Sequence, residues 1–569
     1  MVAAPQAVVV AVVAVVAVAM AARPAAAGTA TRDSSNARSP TTTRDNNATT
    51  ASEDRTSSGA TTIRTDHVAA ADNLRSAPRT YGNWRQPASA GLAGLGTLGT
   101  AIMMGGLVIT VMSTMAGGLP AAIVTLVILG ICLLMLMTKD KHGMSTLQRL
   151  SIRIGWQRAK MAKHNLYRSG PLGRTAWGKF QLPGLAAPSQ LSEFQDSYGR
   201  PFALLFYPST RHFTVVINAE PDGASLVDEE QVDVWVAHWG QWLASLGHEP
   251  GIIAASVTVE SAPDTGIRLR REVGNNMLDG TPPIARAMLT EVVQTYPEGS
   301  ALVSARVALT FKGTDRNGKR RKEEDMGREL ASRLPALTQS LVATGAGAAR
   351  PVTAQELCET VRIAYDPAAA VLIDEARGQG MAPELQWTDV GPAAAQAFWD
   401  KYRHDSAWSV SWQMSQAPRG EVFSSVLSQL VAPHPDIDRK RVTLLYRPLD
   451  AATSARMVEA DKRNASFRAT TSTRPSARTL AEARAADRTA QEEARGAGLV
   501  NFGMVVTGTV MTAEQIPDMI AAVDNLGATA RILLRPAYGS QDSAFVAALP
   551  LGVVIQSHLS VPAGIRESL

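Results

Sequence analysis

The chain has 569 residues, 45% hydrophobic and 19% charged, so it can bury several cores, and a net charge of +5 is too small to signal a nucleic-acid-binding surface. It has only two cysteines, Cys132 and Cys358. No CxxC, HExxH or close Cys/His spacing occurs, which argues against a disulfide framework and against a cysteine- or histidine-based metal cluster.

The N-terminal stretch 1–80 reads as a disordered or extraneous extension. Ala7–Ala22 is almost pure Val/Ala and resembles a signal-peptide core, yet no Lys or Arg precedes it. Two readings stay open for it: an extra anchor, or an upstream extension from a misplaced start. Residues 28–79 are rich in Ser, Thr, Asn, Arg and Asp and poor in large apolar side chains, so disorder is expected there.

Between Arg85 and Lys139 lie 53 residues without one charged side chain. A spanning helix needs about 20 apolar residues. Residues 81–138 therefore predict a transmembrane hairpin with helices near 98–116 and 120–138, turning at Gly117-Gly118-Leu119. After it, residues 139–170 carry Lys139, Lys141, Arg149, Arg153, Arg158, Lys160, Lys163 and Arg168 against one acid, Asp140. Such an excess marks the cytoplasmic side. Leu147, Leu150, Ile154 and Met161 fall among these cations at helical spacing. This predicts a basic amphipathic helix on anionic lipid, the first seven cations being its membrane-surface residues. The expected placement is a multi-pass cell-membrane protein with its bulk in the cytoplasm.

The rest alternates strand and helix signals. Strands are expected at 202–206, 213–218, 252–259, 302–311, 442–446, 502–510 and 530–534. Helices are expected at 228–247, 323–344, 451–462 and 475–494, with another after the capping box Thr512-Ala-Glu-Gln515. The implied class is α+β or α/β, with ferredoxin-like sandwich modules at 171–435 and 436–569.

Chemistry is hard to find. Gly313-Thr-Asp-Arg-Asn-Gly318-Lys319 follows a strand like a phosphate loop, but Arg320 stands where a Ser or Thr should hold magnesium. A cryptic nucleotide hydrolase at Gly313–Lys319 is the rival reading of enzyme class. His434-Pro-Asp436-Ile-Asp438 reads as a turn rather than a metal site. No catalytic, cofactor or metal residue is assigned, and the expectation is a non-enzyme.

Tyr81-Gly-Asn-Trp84, Gly94-Leu-Gly-Thr97, Tyr167-Arg-Ser-Gly-Pro-Leu-Gly173, Asp196-Ser-Tyr-Gly-Arg-Pro-Phe202 and the stretch from Asp436 to Pro448 together resemble an actinobacterial family of two-span membrane proteins. Its members lie in conjugation-type gene clusters and are often labelled type VII secretion EccE-like. The resemblance covers about 81–569, which favours the misplaced-start reading of the stretch before it. From Val442 onward, including Ser543–Pro550, the chain also resembles the N-terminal region of the VirB-type conjugative ATPase, without its motor domain. The resemblance implies an anchor for a separately encoded secretion or conjugation ATPase within a hetero-oligomeric complex with channel subunits. The alternative is an EccE-type component of a type VII secretion complex. Arg439, Lys440, Arg441, Arg535, Gln541, Asp542 and Phe545 are the contact candidates that it suggests.

Overall fold

The computed structural model describes residues 2–3, 81–82, 84, 96–173, 179–221, 227–278, 280–295, 301–315, 317–381, 383–418, 420–471 and 476–559. The expectations for the Ala/Val segment and for residues 28–79 lie outside them.

One apolar helix, α1 (Gly96–Met137), precedes the folded body. At Gly118 its backbone leaves helical geometry (φ 69°, ψ −168°), and Pro120 follows without an amide hydrogen to offer. The break falls where a turn was expected. Ser113 Oγ lies 3.0 Å from Thr125 Oγ1. A Cβ added at Gly106 would come 2.3 Å from Leu129 Cδ1, so the glycine admits that leucine. Most large side chains of α1 face outward: Met112 is 65% exposed and Met115 87%. Helix α2 (Thr146–Met161) starts at a Ser145/Gln148 capping box.

The body is mixed α/β, built on one large antiparallel sheet. Its strands are β1 (Val2–Ala3), β2 (Leu166–Arg168), β3 (Gln190–Gln195), β4 (Pro201–Tyr207), β5 (His212–Glu220), β6 (Ile252–Pro263), β7 (Ala301–Lys312) and β8 (Ala348–Pro351), followed by β9 (Ala394–Ala397), β10 (Tyr402–His404), β11 (Ala407–Gln416), β12 (Arg439–Pro448), β13 (Leu499–Val510) and β14 (Leu533–Pro536). The helices after α2 are α3 (Glu229–Leu246), α4 (Ile267–Asn276), α5 (Pro283–Thr295), α6 (Glu323–Leu341), α7 (Ala354–Tyr365) and α8 (Ala369–Gly378). They continue with α9 (Ser428–Val431), α10 (Ala451–Thr471), α11 (Ala477–Ala494), α12 (Ile516–Thr529) and α13 (Gln541–Ala547).

The same arrangement occurs twice. In one half the strands lie side by side as β8-β5-β7-β6, in the other as β14-β11-β13-β12. An outer hairpin extends each half, β3–β4 on β5 and β9–β10 on β11. In each half a pair of helices interrupts the corresponding connection: α4–α5 between β6 and β7, α10–α11 between β12 and β13. The halves meet edge to edge where β12 pairs antiparallel with β6, Arg441 opposite Glu260 and Leu444 opposite Val257. The division expected at 435/436 runs between β11 and β12, although both are hydrogen-bonded to β13. A boundary ahead of β9 respects the pairing; β9 and β10 are too short and too poor in large apolar residues to announce themselves.

Successive side chains point to opposite faces, and both faces of the central strands are buried. On one face Val257, Val307, Leu309, Val442, Leu444, Val506 and Trp412 pack with α3, α6 and α12 into the larger core. The other face is lined with hydroxyls, which pair across neighbouring strands: Ser409 with Thr509 (2.7 Å), Ser411 with Thr507 (2.9 Å), Thr258 with Thr443 (3.1 Å) and Thr214 with Thr310 (3.2 Å). Paired in this way, they are buried without loss. Helix α7, α13 and the segment 548–553 cover this face.

Candidate functional site

The C-terminal contact candidates converge on that hydroxyl-lined face, inside the molecule. Helix α13 and the following segment form a strap across both halves. Gln541 accepts from Ser411 N at 2.8 Å and donates to Ser411 O at 3.2 Å. Thr443 donates to Ala548 O, Thr310 to Gly552 O and Tyr207 to Leu551 O, at 2.8, 2.9 and 3.1 Å. Gly552 (φ 63°) is needed there, since a Cβ would meet Thr310 Oγ1 at 2.3 Å. Phe545, fully buried, packs against Tyr365, Tyr402 and His404 and receives the Arg441 guanidinium 4.8 Å from its ring centroid.

Beneath the strap lies a buried charge cluster. Arg439 Nη2 and Arg441 Nε reach Glu260 Oε1 at 3.1 and 3.3 Å. Burial pushes the Glu260 carboxyl up, but Arg439, Arg441 and Arg306 outweigh it and hold the group down at about 2. Arg441 is 1% exposed, and its Nη1 and Nη2 have no hydrogen-bond partner among the described residues. Next to it His404 bridges Tyr365 O (2.6 Å) and Ser409 Oγ (2.8 Å), and burial holds its imidazole at about 4. The carbonyl can only accept, so Nδ1 carries the proton and Nε2 accepts from Ser409.

The structure places the contact candidates inside or partly inside the molecule. Lys440, Arg441, Gln541 and Phe545 are interior, Arg535 is 8% exposed, and Arg439 and Asp542 are half-buried. They bind the molecule to itself and present little to a partner. Lys440 points to the opposite face, where its Nζ donates to Ala432 O at 2.6 Å and burial lowers its ammonium to about 7. In the unfolded chain the group stays charged up to about 10.5, so between roughly pH 10.5 and 7 the folded state loses stability as pH falls. Lys440→Met is expected to raise the thermal midpoint at pH 7.5 and to flatten that alkaline slope, read by tryptophan fluorescence of the full chain in detergent.

A second constellation sits where α2 meets the body. Ile152, Trp156 and Ala159 face inward, while Leu150 (43%), Ile154 (41%) and Met161 (75%) remain exposed among Arg149, Arg153, Arg158 and Lys160. Trp156 lies 6.3 Å from Trp399, which stacks on Tyr538 at 5.6 Å. Gly539 (φ 71°) makes room, since a Cβ would fall 2.9 Å from Trp399. His142 Nδ1 lies 3.1 Å from Ser415 Oγ, pinning the link between α1 and α2 to β11. Between α2 and the β14–α13 loop is a cavity of about 360 Å³ lined by Met144, Ile152, Gly155, Trp156, Arg535 and Tyr538, among others.

At Gly313–Lys319 the loop spends its amides on its own carbonyls. Gly318 N donates to Asp315 O, Asp315 N to Lys319 O and Arg321 N to Gly313 O, at 2.9, 2.9 and 3.0 Å. Those donors are not turned outward to a phosphate. His434 and Asp436 form a turn, with Asp436 N on His434 Nδ1 at 3.3 Å, and Asp438 caps Met511 N at 2.9 Å. The Asp196 motif closes the β3–β4 hairpin: its carboxylate accepts from Tyr198 N and Arg200 N and pairs with Arg200 Nε at 2.8 Å. No group of three or more His, Cys, Asp or Glu suited to a metal occurs among the described residues.

A family model described as a domain of unknown function (DUF8461) matches residues 88–148, which take in α1 and the start of α2. No curated protein matches the chain. The α2 cavity escapes sequence reading because Arg535 comes from the far end of the chain, remote from Ile152 and Trp156. The available signal is Trp156, an aromatic residue in an otherwise basic helix.

Proposed function

We infer that the chain is a non-catalytic membrane component of a secretion or conjugative-transfer machine, which holds a separately encoded ATPase at the inner face of the cell membrane. The observation that carries the membrane part is α1: uncharged throughout, its large side chains outward, and interrupted at Gly118. In an unbroken helix Ser113 and Thr125 would be roughly 18 Å apart and Gly106 and Leu129 roughly 35 Å apart. Their contacts support a fold-back into two antiparallel arms with small and hydroxyl residues between them, the way helices associate in lipid. The basic, partly apolar outer face of α2 supports its lying on anionic headgroups, with both flanks of α1 in the cytoplasm. Each half of the body, with its split order of strands and two covering helices, is read as a ferredoxin-like module carrying an extra helical pair. The ATPase partner rests on the sequence resemblance, and its contacts fall outside the buried strap residues.

Alkaline carbonate washing is expected to leave the wild-type chain in the membrane pellet. Ile128→Lys, at a 59% exposed position within α1, is expected to move a substantial fraction to the supernatant. A lysine at mid-bilayer costs about 2.5–3.5 kcal/mol. A cysteine at Met115, near the turn, is expected to react with an impermeant maleimide on intact cells, and one at Lys141 only after permeabilisation. Release of the wild type by carbonate would overturn the anchor. Affinity purification from membranes that recovered neither a secretion ATPase nor a channel subunit would overturn the adaptor role.

A further inference from the structure

We propose that the cavity between α2 and the β14–α13 loop binds the phosphate headgroup of an anionic phospholipid, with Arg535 as the anion-binding residue. The proposal rests on the membrane reading of α1. Arg535, opposite Gln413 in the β11–β14 pair, is 8% exposed, and its side chain makes no hydrogen bond or ion pair among the described residues. The guanidinium carbon lies 5.7 Å from the centre of the Tyr538 ring. With its five N–H donors unused by the protein and open to the cavity, the guanidinium can bind an entering anion. Asp140, whose charge reaches Arg535 without a hydrogen bond, pairs with Arg149 at 3.6 Å.

Met144, Ile152, Trp156, Ala537 and Tyr538 give the cavity apolar and aromatic walls, and Gln413 and Ser540 add two polar groups beside Arg535. One guanidinium beside apolar and aromatic walls, in an open cavity of about 360 Å³, suits an amphiphile better than a free, fully hydrated anion. Position points the same way. Met144 closely follows the end of α1 at Met137, and the cavity lies beneath the helix whose outer face carries Arg149, Arg153 and Arg158. In the membrane reading this is headgroup depth. Occupancy would fasten α2 to the β14 edge of the sheet, joining the anchor to the body through a lipid.

The test uses the full chain in neutral detergent, titrated with phosphatidylglycerol, phosphatidylcholine or inorganic phosphate and followed by native mass spectrometry. A saturable one-to-one phosphatidylglycerol adduct is expected, with no comparable phosphatidylcholine adduct. Arg535→Gln is expected to weaken it roughly tenfold to a hundredfold, the value of a charge-assisted hydrogen-bond pair. Gly155→Leu keeps Arg535 and fills the cavity, and no atom lies within 4 Å of the added Cβ, so it is expected to abolish the adduct while the chain stays folded. Arg153→Gln with Arg158→Gln is expected to lower adherence to anionic vesicles and leave the one-to-one adduct unchanged. Equal binding by wild type and both cavity variants would overturn the site. Competition by inorganic phosphate at the same concentration as the lipid would overturn its lipid specificity. Carbonate extraction of the same wild-type protein reports the membrane reading separately.

Discussion

Glu260→Ala is expected to destabilise the folded body by about 3–5 kcal/mol, the range for removing one partner of a buried ion pair. Glu260 is the shared acceptor for Arg439 and Arg441 across the β6–β12 seam, and without it Arg441 is left buried with no carboxylate. Thermal unfolding of the full chain, reported by the buried Trp239, Trp242 and Trp412, reads the loss. The pH dependence follows from the direction of the shift. The folded carboxyl sits at about 2 and the unfolded one near 4.5, so the cluster's contribution is complete above about pH 4.5 and is lost as pH falls toward 2. Glu260→Gln is expected to remove most of that acid-limb slope. His404 adds acid sensitivity just above that window, because the unfolded imidazole protonates from about 6.5 downward while the folded one resists until about 4. Protonating Nε2 ends its acceptance from Ser409. An unchanged midpoint in Glu260→Ala would mean that the seam is held by backbone pairing alone.

Phe545→Ala is expected to cost about 3–5 kcal/mol, the usual loss for a buried phenylalanine. Its ring is fully buried, fills the space between Tyr365, Tyr402 and His404, and forms the aromatic face on which Arg441 rests. Truncation opens a cavity and strips the guanidinium of its one favourable contact apart from Glu260. Phe545→Leu restores most of the volume and none of the quadrupole. The gap between wild type and Phe545→Leu therefore measures the cation–π part, expected at about 1–2 kcal/mol, and the gap between the two variants measures the cavity part. Limited proteolysis after Ala548 is expected to accelerate in Phe545→Ala, since the strap would lift at that point. A protection pattern identical to wild type would place the anchor of the strap at Gln541 instead.

What can be read in advance is whatever local periodicity determines. The alternation of Val303, Ala305, Val307 and Leu309 with small or polar residues marks β7, and it spans Ala301–Lys312. The Gly117-Gly118-Leu119-Pro120 sequence announces the interruption of α1. Thr512–Gln515 does make a capping contact, yet α12 begins only at Ile516, because the contact closes a turn ahead of the helix. Strand β11 is harder to see: Ser409 and Ser411 alternate with Val410 and Trp412, and serine is not a strand signal unless a facing hydroxyl satisfies it. Helix α7, which holds Cys358, is legible in its capping box Thr353-x-x-Glu356. The charged residues are harder still. Arg439 and Arg441 look solvated until strand pairing brings them to Glu260, far earlier in the chain, and that pairing is invisible to any local pattern.

The hydroxyl-rich side of the sheet also bears on biogenesis. Residues 541–553 are synthesised after every strand that they cover, so the nascent sheet stands with one side wet while the ribosome finishes. An oily surface left bare for that interval would invite aggregation, whereas rows of threonine and serine can hold water until their cover is made. The polarity of that buried layer thus suits the order of manufacture, and swapping Thr443 or Thr507 for valine should lower the soluble yield more than it lowers the stability of whatever folds.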